Sequence, residues 1–99
     1  MLLIELAHAR TGDKGNLVTI SLIAYRKEDF SLIEEKVTTE RVAEQFQELI
    51  EGPVIRYSLP QMAALNFVLR RPASSNVTRS LALDAHGKCL ASALLAMNI

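Results

Sequence analysis

The sequence predicts one small α+β domain, a mainly antiparallel sheet of about five strands with two helices on one face. Three observations carry that expectation. Short apolar segments at strand period open and close the chain, segments at helical period lie between them, and Gly, Pro and Asn mark each change of period. The 99 residues give room for one domain, which by size scaling buries roughly 65% of the surface of its unfolded chain. An apolar share of 49% against 22% charged residues places it among chains that fold.

Taken in order, Leu2 to Ala9 alternates as a first strand, with Leu2, Ile4, Leu6 and His8 on one face and Leu3, Glu5, Ala7 and Ala9 on the other. Leu17 to Tyr25 alternates again, with Val18, Ile20, Leu22 and Ala24 opposite Thr19, Ser21 and Tyr25. The two strands make a hairpin, and Arg10 to Asn16 is the loop that joins them. Thr39 caps a first helix with Glu40 in its first turn, and Val42, Phe46, Leu49 and Ile50 follow at helical spacing until Gly52-Pro53 stops it. Val54 to Tyr57 is a short third strand.

Ser58 and Gln61 have capping-box spacing around Pro60 and predict a second helix through about Arg70. That helix is apolar on most sides, with Met62, Ala63, Ala64, Leu65, Phe67, Val68 and Leu69, and Pro72 closes it. Thr78 to Asp84 is a fourth strand, Ala85-His86-Gly87 turns the chain, and Lys88 to Asn98 returns as a fifth strand apolar on both faces. Leu90, Ala93, Leu94 and Met97 equally suit a helix, and the hairpin signal before them decides for strand. The order β-β-α-β-α-β-β is ferredoxin-like in outline. One sheet face stays uncovered; Ile20, Leu22, Leu81 and Leu95 are assigned to it, so a homodimer or larger assembly is inferred.

Composition removes several functional classes. Lys plus Arg and Asp plus Glu stand at 11 each, so no long-range field draws the chain to nucleic acid or an anionic membrane. With no Trp, two Tyr and three Phe, it also has little stacking surface for single strands. Cys89 is alone, which fits a reducing compartment, and the start lacks a basic n-region. No apolar run is long enough to span a bilayer, and a cytoplasmic location is expected. His8, His86 and Cys89 are scattered without zinc-ligand spacing, so no metal and no cofactor is expected.

The densest chemistry lies in Arg10-Thr11-Gly12-Asp13-Lys14-Gly15-Asn16. Glycines let a backbone approach a ligand, and Arg10 and Lys14 supply charge for phosphate or carboxylate. The spacing is not that of a phosphate-binding P-loop. A plain hairpin turn explains Gly12, Asp13 and Asn16 equally well but has no need of the two cations. Asn66, among apolar neighbours in the second helix, either faces a pocket or ties the helix to a loop carbonyl. Asp84, His86 and Lys88 alternate in a turn, where they serve either acid–base work or solubility. His8 reads as a hydrogen-bonded core or rim histidine.

Ala9 to Asn16, Arg56-Tyr57-Ser58-Leu59-Pro60, Ala64 to Leu69, Ser80 to Asp84 and Gly87-Lys88 together resemble the AtuA-like C-terminal domain, which occurs fused to or encoded beside the larger acyclic terpene utilisation protein A. The resemblance spans nearly the whole chain, residues 1–99 read as one such domain, and its first block is its most specific part. It implies a ferredoxin-like domain in bacterial catabolism of isoprenoid or related branched acyl compounds, here as a free-standing small subunit. It raises Arg10, Asp13, Lys14, Asn16, Asn66, Asp84 and Lys88 to signature positions without assigning them roles. Ala73-Ser74-Ser75-Asn76 departs from the glycine-rich stretch usual in the family. Two functions follow. One is an accessory or assembly module docking a larger AtuA-type partner; the other is an acyl-CoA or other anionic small-molecule binding or catalytic subunit that uses the Arg10–Asn16 loop. A stand-alone enzyme with His86 or Asp13 as base ranks below both, because no nucleophile or orienting residue accompanies them.

Overall fold

Period-two burial builds the middle of the molecule. The computed structural model describes residues 1–14, 16–47, 49–70 and 87–99. In these, β1 (Ala7–Lys14) and β2 (Leu17–Ala24) form the expected antiparallel hairpin, with Ala7 opposite Ala24 and Lys14 opposite Leu17. The helices α1 (Phe30–Lys36) and α2 (Thr39–Gln45) follow, then β3 (Ile55–Leu59), β4 (Ala64–Arg70) and α3 (Gly87–Leu95). The strands order as β1-β2-β4-β3 with every neighbouring pair antiparallel. The α+β class and the antiparallel sheet therefore stand, with four strands among the described residues where about five were expected.

On the inner side of the sheet, Val18, Ile20 and Leu22 of β2 lie beside Leu65, Phe67 and Leu69 of β4, all six nearly fully buried. Phe30, Ile33 and Val37 from α1 and its end, Val42 and Phe46 from α2, and Leu90 and Leu94 from α3 join them in one core cluster. The helices thus cover one face. Ile20 and Leu22 belong to this core and not to the uncovered face assigned to them; Leu95 packs partly buried against the same core, and Leu81 lies outside the described residues.

Several elements differ from the sequence reading, each for a local reason. The first strand starts at Ala7, because Leu3–Glu5 is a one-turn 3-10 segment whose Leu3 and, three positions on, Leu6 are both buried. What looked like a loop from Arg10 is strand through Lys14, since each residue there pairs with one on β2. The unforeseen α1 is two turns long and buries Phe30 and Ile33 at i and i+3. The α2 cap is Thr38 and not Thr39: the Thr38 hydroxyl accepts from the Arg41 N–H at 3.2 Å. The helix also stops at Gln45, well before Gly52.

The largest corrections concern the second half. The segment expected as a second helix is the central strand β4, preceded by a 3-10 turn over Pro60–Met62 that ends at Ala63 in the left-handed region, φ 52°. Ser58 and Gln61 therefore flank a tight reversal from β3 into β4 instead of capping a helix. The segment expected as a fifth strand is α3, whose Leu90, Ala91, Leu94 and, beyond its end, Met97 are buried at helical spacing. It packs along β1 and against α2. The strand expected over Thr78 to Asp84 and the turn at Ala85-His86 lie outside the described residues. Among the described residues no helix is long and apolar enough to cross a membrane.

Candidate functional site

Residues directly opposite one another in an antiparallel pair share a sheet face, so the register assigns every strand side chain to the core or to the other side. Opposite the core, one row runs His8, Ile23, Ala64 and Leu59. The next runs Arg10, Ser21, Asn66 and Tyr57, and the next Gly12, Thr19, Val68 and Ile55. Positions 14, 17 and 70 end the series with Lys, Leu and Arg. No described helix packs on this side. It exposes large apolar side chains, with Tyr57 53%, Ile55 46% and Leu59 40% accessible.

The second row holds the most organised polar groups. Asn66 stands at mid-strand and not mid-helix, half-buried between Ser21 and Tyr57. The Ser21 hydroxyl donates to Asn66 Oδ1 at 3.2 Å, which satisfies a group that would otherwise cost on the order of 1–3 kcal/mol on burial. Ser21 is therefore tied to an amide oxygen that takes no proton, and the pair is not a nucleophile with its base. Arg10, exposed at the β1 end of the row, and Tyr57 at the β3 end add a guanidinium and a phenol. In the row below, the Thr19 hydroxyl donates to the Gly12 carbonyl at 3.4 Å, and a Cβ at position 12 would meet Thr19 Oγ1 at 3.1 Å. A glycine there leaves the middle of an exposed strand open to close approach.

His8 heads the face with its ring stacked on Tyr25, centroids 5.4 Å apart and planes 28° from parallel, so it is a rim residue of the open side. At the other end an open depression of about 460 Å³ is floored by Leu17, Ile55 and Val68 and bounded by Asn16, Pro53 and Arg70, with Glu51 and Gly52 beside them. The Glu51 N–H donates to the Arg70 carbonyl at 2.7 Å, which fixes that corner.

Of the residues singled out in the sequence, Arg10, Gly12 and Asn66 thus share one face, Lys14 pairs at the end of the same series, and Asn16 borders the depression. Thr11 stands opposite core-facing Ile20, in the register of the inner side, and Asp13 pairs along the backbone with Val18. Thr11 Oγ1 is buried there without a hydrogen-bond partner among the described residues. Lys88 is in the first turn of α3, not in a strand. Gly15, Asp84 and His86 lie outside the described residues. Tyr57, Ser21 and Arg70 were passed over as site residues, although the alternation that separates Ser21 from Ile20 was visible in the sequence.

Two neighbours of Tyr57 are architectural. Arg56 Nη1 donates to the carbonyls of Glu34 at 2.7 Å and Val37 at 2.9 Å, satisfying the end of α1, and the Ser58 hydroxyl donates to the Glu34 carboxylate. Among the described residues, Glu40, away from the open face, has a carboxyl clearly displaced from its ordinary acidity. It is held low first by a backbone hydrogen bond at its own residue and then by the Thr39 hydroxyl. No cluster of three or more His, Cys, Asp or Glu residues that could hold a metal occurs among the described residues.

The open face carries charge unevenly. Across its rows the cations Arg10 and Arg70 appear and, among the described residues, no Asp or Glu does, although the chain as a whole has 11 of each sign. Chemically the arrangement offers donors, apolar area and positive charge over an extended surface. Compared with known proteins, the chain matches the model of the AtuA ferredoxin-like domain over residues 1–99, its whole length. No curated protein and no solved structure matches it.

Proposed function

Given that the chain belongs to the AtuA ferredoxin-like domain family, we propose that it is an accessory module that seats its open sheet face on a larger AtuA-type protein in a bacterial isoprenoid or branched-acyl catabolic system. One observation carries the reading. The family-like residues Arg10, Gly12 and Asn66 converge on the sheet face that also exposes Tyr57, Ile55 and Leu59. An apolar area crossed by a polar row and anchored by Tyr and Arg has the composition of a protein interface core, and exposed apolar patches on small domains mark such sites. The chemistry is assigned to the partner, because Ser21 is bonded to an amide and no general base adjoins it among the described residues.

The test is a purified mixture with the larger AtuA-type protein, followed by light scattering after gel filtration. A defined complex is expected, lost in Tyr57→Asp while circular dichroism stays native. Equal binding by wild type and Tyr57→Asp rejects this face as the docking surface. The depression at Asn16 and Arg70 favours a second reading, in which an acyl anion lays its chain on Leu17, Ile55 and Val68. It predicts saturable binding of a medium-chain carboxylate that Arg70→Ala weakens.

A further inference from the structure

We infer that the partner surface for the open face is acidic: a protein patch of apolar side chains interspersed with carboxylates, and not a second copy of this chain, a nucleic acid or a membrane. The inference rests on the docking reading for the location of the face and adds the chemistry of what covers it.

The argument is one of charge complementarity. Arg10 sits at mid-strand in β1 and Arg70 at the end of β4, so the two cationic positions stand on different strands of one face. The residues that pair with them are neutral, Ser21 with Arg10 and Leu17 with Arg70. Glu51 stands beside Arg70 in the lining of the corner depression.

Covering the face removes water from these cations, and a buried charge without a counter-charge is costly. A second copy placed face to face brings the same cations and, in the described rows, no carboxylate apart from Glu51 at the Arg70 corner, so self-association leaves Arg10 unmatched. A nucleic acid would match the charge but not the exposed Ile55 and Leu59 on the neighbouring edge strand β3, and the zero net charge of the chain gives no long-range pull toward a polyanion. Carboxylates set among Leu- or Val-like side chains meet both requirements. The line of Arg10, Ser21, Asn66 and Tyr57 is spaced to take one such edge, with Arg10 offering a two-pronged donor.

The test uses a soluble helical peptide bearing Leu and Glu on one face, the same peptide with Lys for each Glu, and a thymidine oligonucleotide, each titrated into isotopically labelled protein and followed by amide chemical shifts. The Glu peptide is expected to shift Arg10, Ser21, Asn66 and Tyr57, and Arg10→Glu to weaken it roughly tenfold. Arg70→Glu is a second, separately placed reversal. Silence with the Glu peptide, equal binding of the Lys peptide, or preference for the oligonucleotide overturns the inference. So does self-association through the same residues. The two readings separate cleanly: if the larger AtuA-type protein binds wild type and Arg10→Glu alike, docking stands and the acidic surface is wrong. If that protein fails to bind while the Glu peptide does, the identity of the partner is wrong and its chemistry stands.

Discussion

Arg56 and Tyr57 are neighbours in sequence with opposite work to do, because successive strand residues point to opposite faces. Arg56 turns inward and satisfies two carbonyls at the end of α1, while Tyr57 turns outward and stays exposed. Arg56→Ala leaves both carbonyls without this donor, so it is expected to destabilise the fold by about 1–3 kcal/mol, read as a lowered urea midpoint with docking unchanged per folded molecule. Gly12→Val is expected to act the other way. The added branch crowds Thr19 Oγ1 and covers the open backbone, so binding at the face falls while the loss of stability stays within about 1 kcal/mol. At this scale the sequence was readable for residue type and unreadable for direction. Arg10, Gly12 and Asn66 stood out by their chemistry, yet their convergence depends on the β1-β2-β4 register, which no local pattern contains.

Among the elements, α2 is the one whose start was nearly visible. The cap is Thr38, one residue before the expected Thr39, and Thr38→Ala is expected to cost about 1 kcal/mol. Glu40 in its first turn adds a pH dependence with a definite sign. Hydrogen bonds hold the folded carboxyl below its ordinary value of 4.5. Its stabilising contribution is therefore complete above pH 4.5 and disappears as the pH falls through the lower, folded value. In urea titrations Glu40→Gln should lie below wild type at pH 7 and converge on it at pH 3; a gap that persists at pH 3 would show that the carboxylate is not its source. β4 and α3 were misread for one shared reason. A central strand is lined by apolar residues on both faces, and a short buried helix is too, so Ala64 to Leu69 and Leu90 to Met97 each satisfied both periods. Which one wins is decided by the neighbour: β4 lies between β2 and β3 and completes their ladders, whereas α3 lies across β1 with Leu90 and Leu94 in the core. The hairpin partner β2 was legible because it keeps its polar side facing away from the core and so shows a clean alternation.

Among the described residues the sheet is covered by helices on one side only, and that asymmetry separates what folds the molecule from the face proposed to bind. Phe67 and Val68 test the division, being adjacent in β4 with Phe67 fully buried in the core and Val68 on the open side between Thr19 and Ile55. Phe67→Ala opens a cavity beside Ile20 and Leu65 and is expected to cost about 3–5 kcal/mol, a large part of the roughly 5–15 kcal/mol that holds a domain of this size together. Val68→Ala removes apolar area that is already half in contact with water, so its effect on stability should stay near or below about 1 kcal/mol. In the docked state the order reverses. Val68 then loses its remaining water, and truncation should weaken the complex severalfold, while whatever Phe67→Ala remains folded should bind with native affinity, since Phe67 never reaches the face. Denaturant unfolding and binding titrations on the same two variants read both halves. If the two substitutions change stability equally, the open face is not open, and the separation of core from docking surface fails with it.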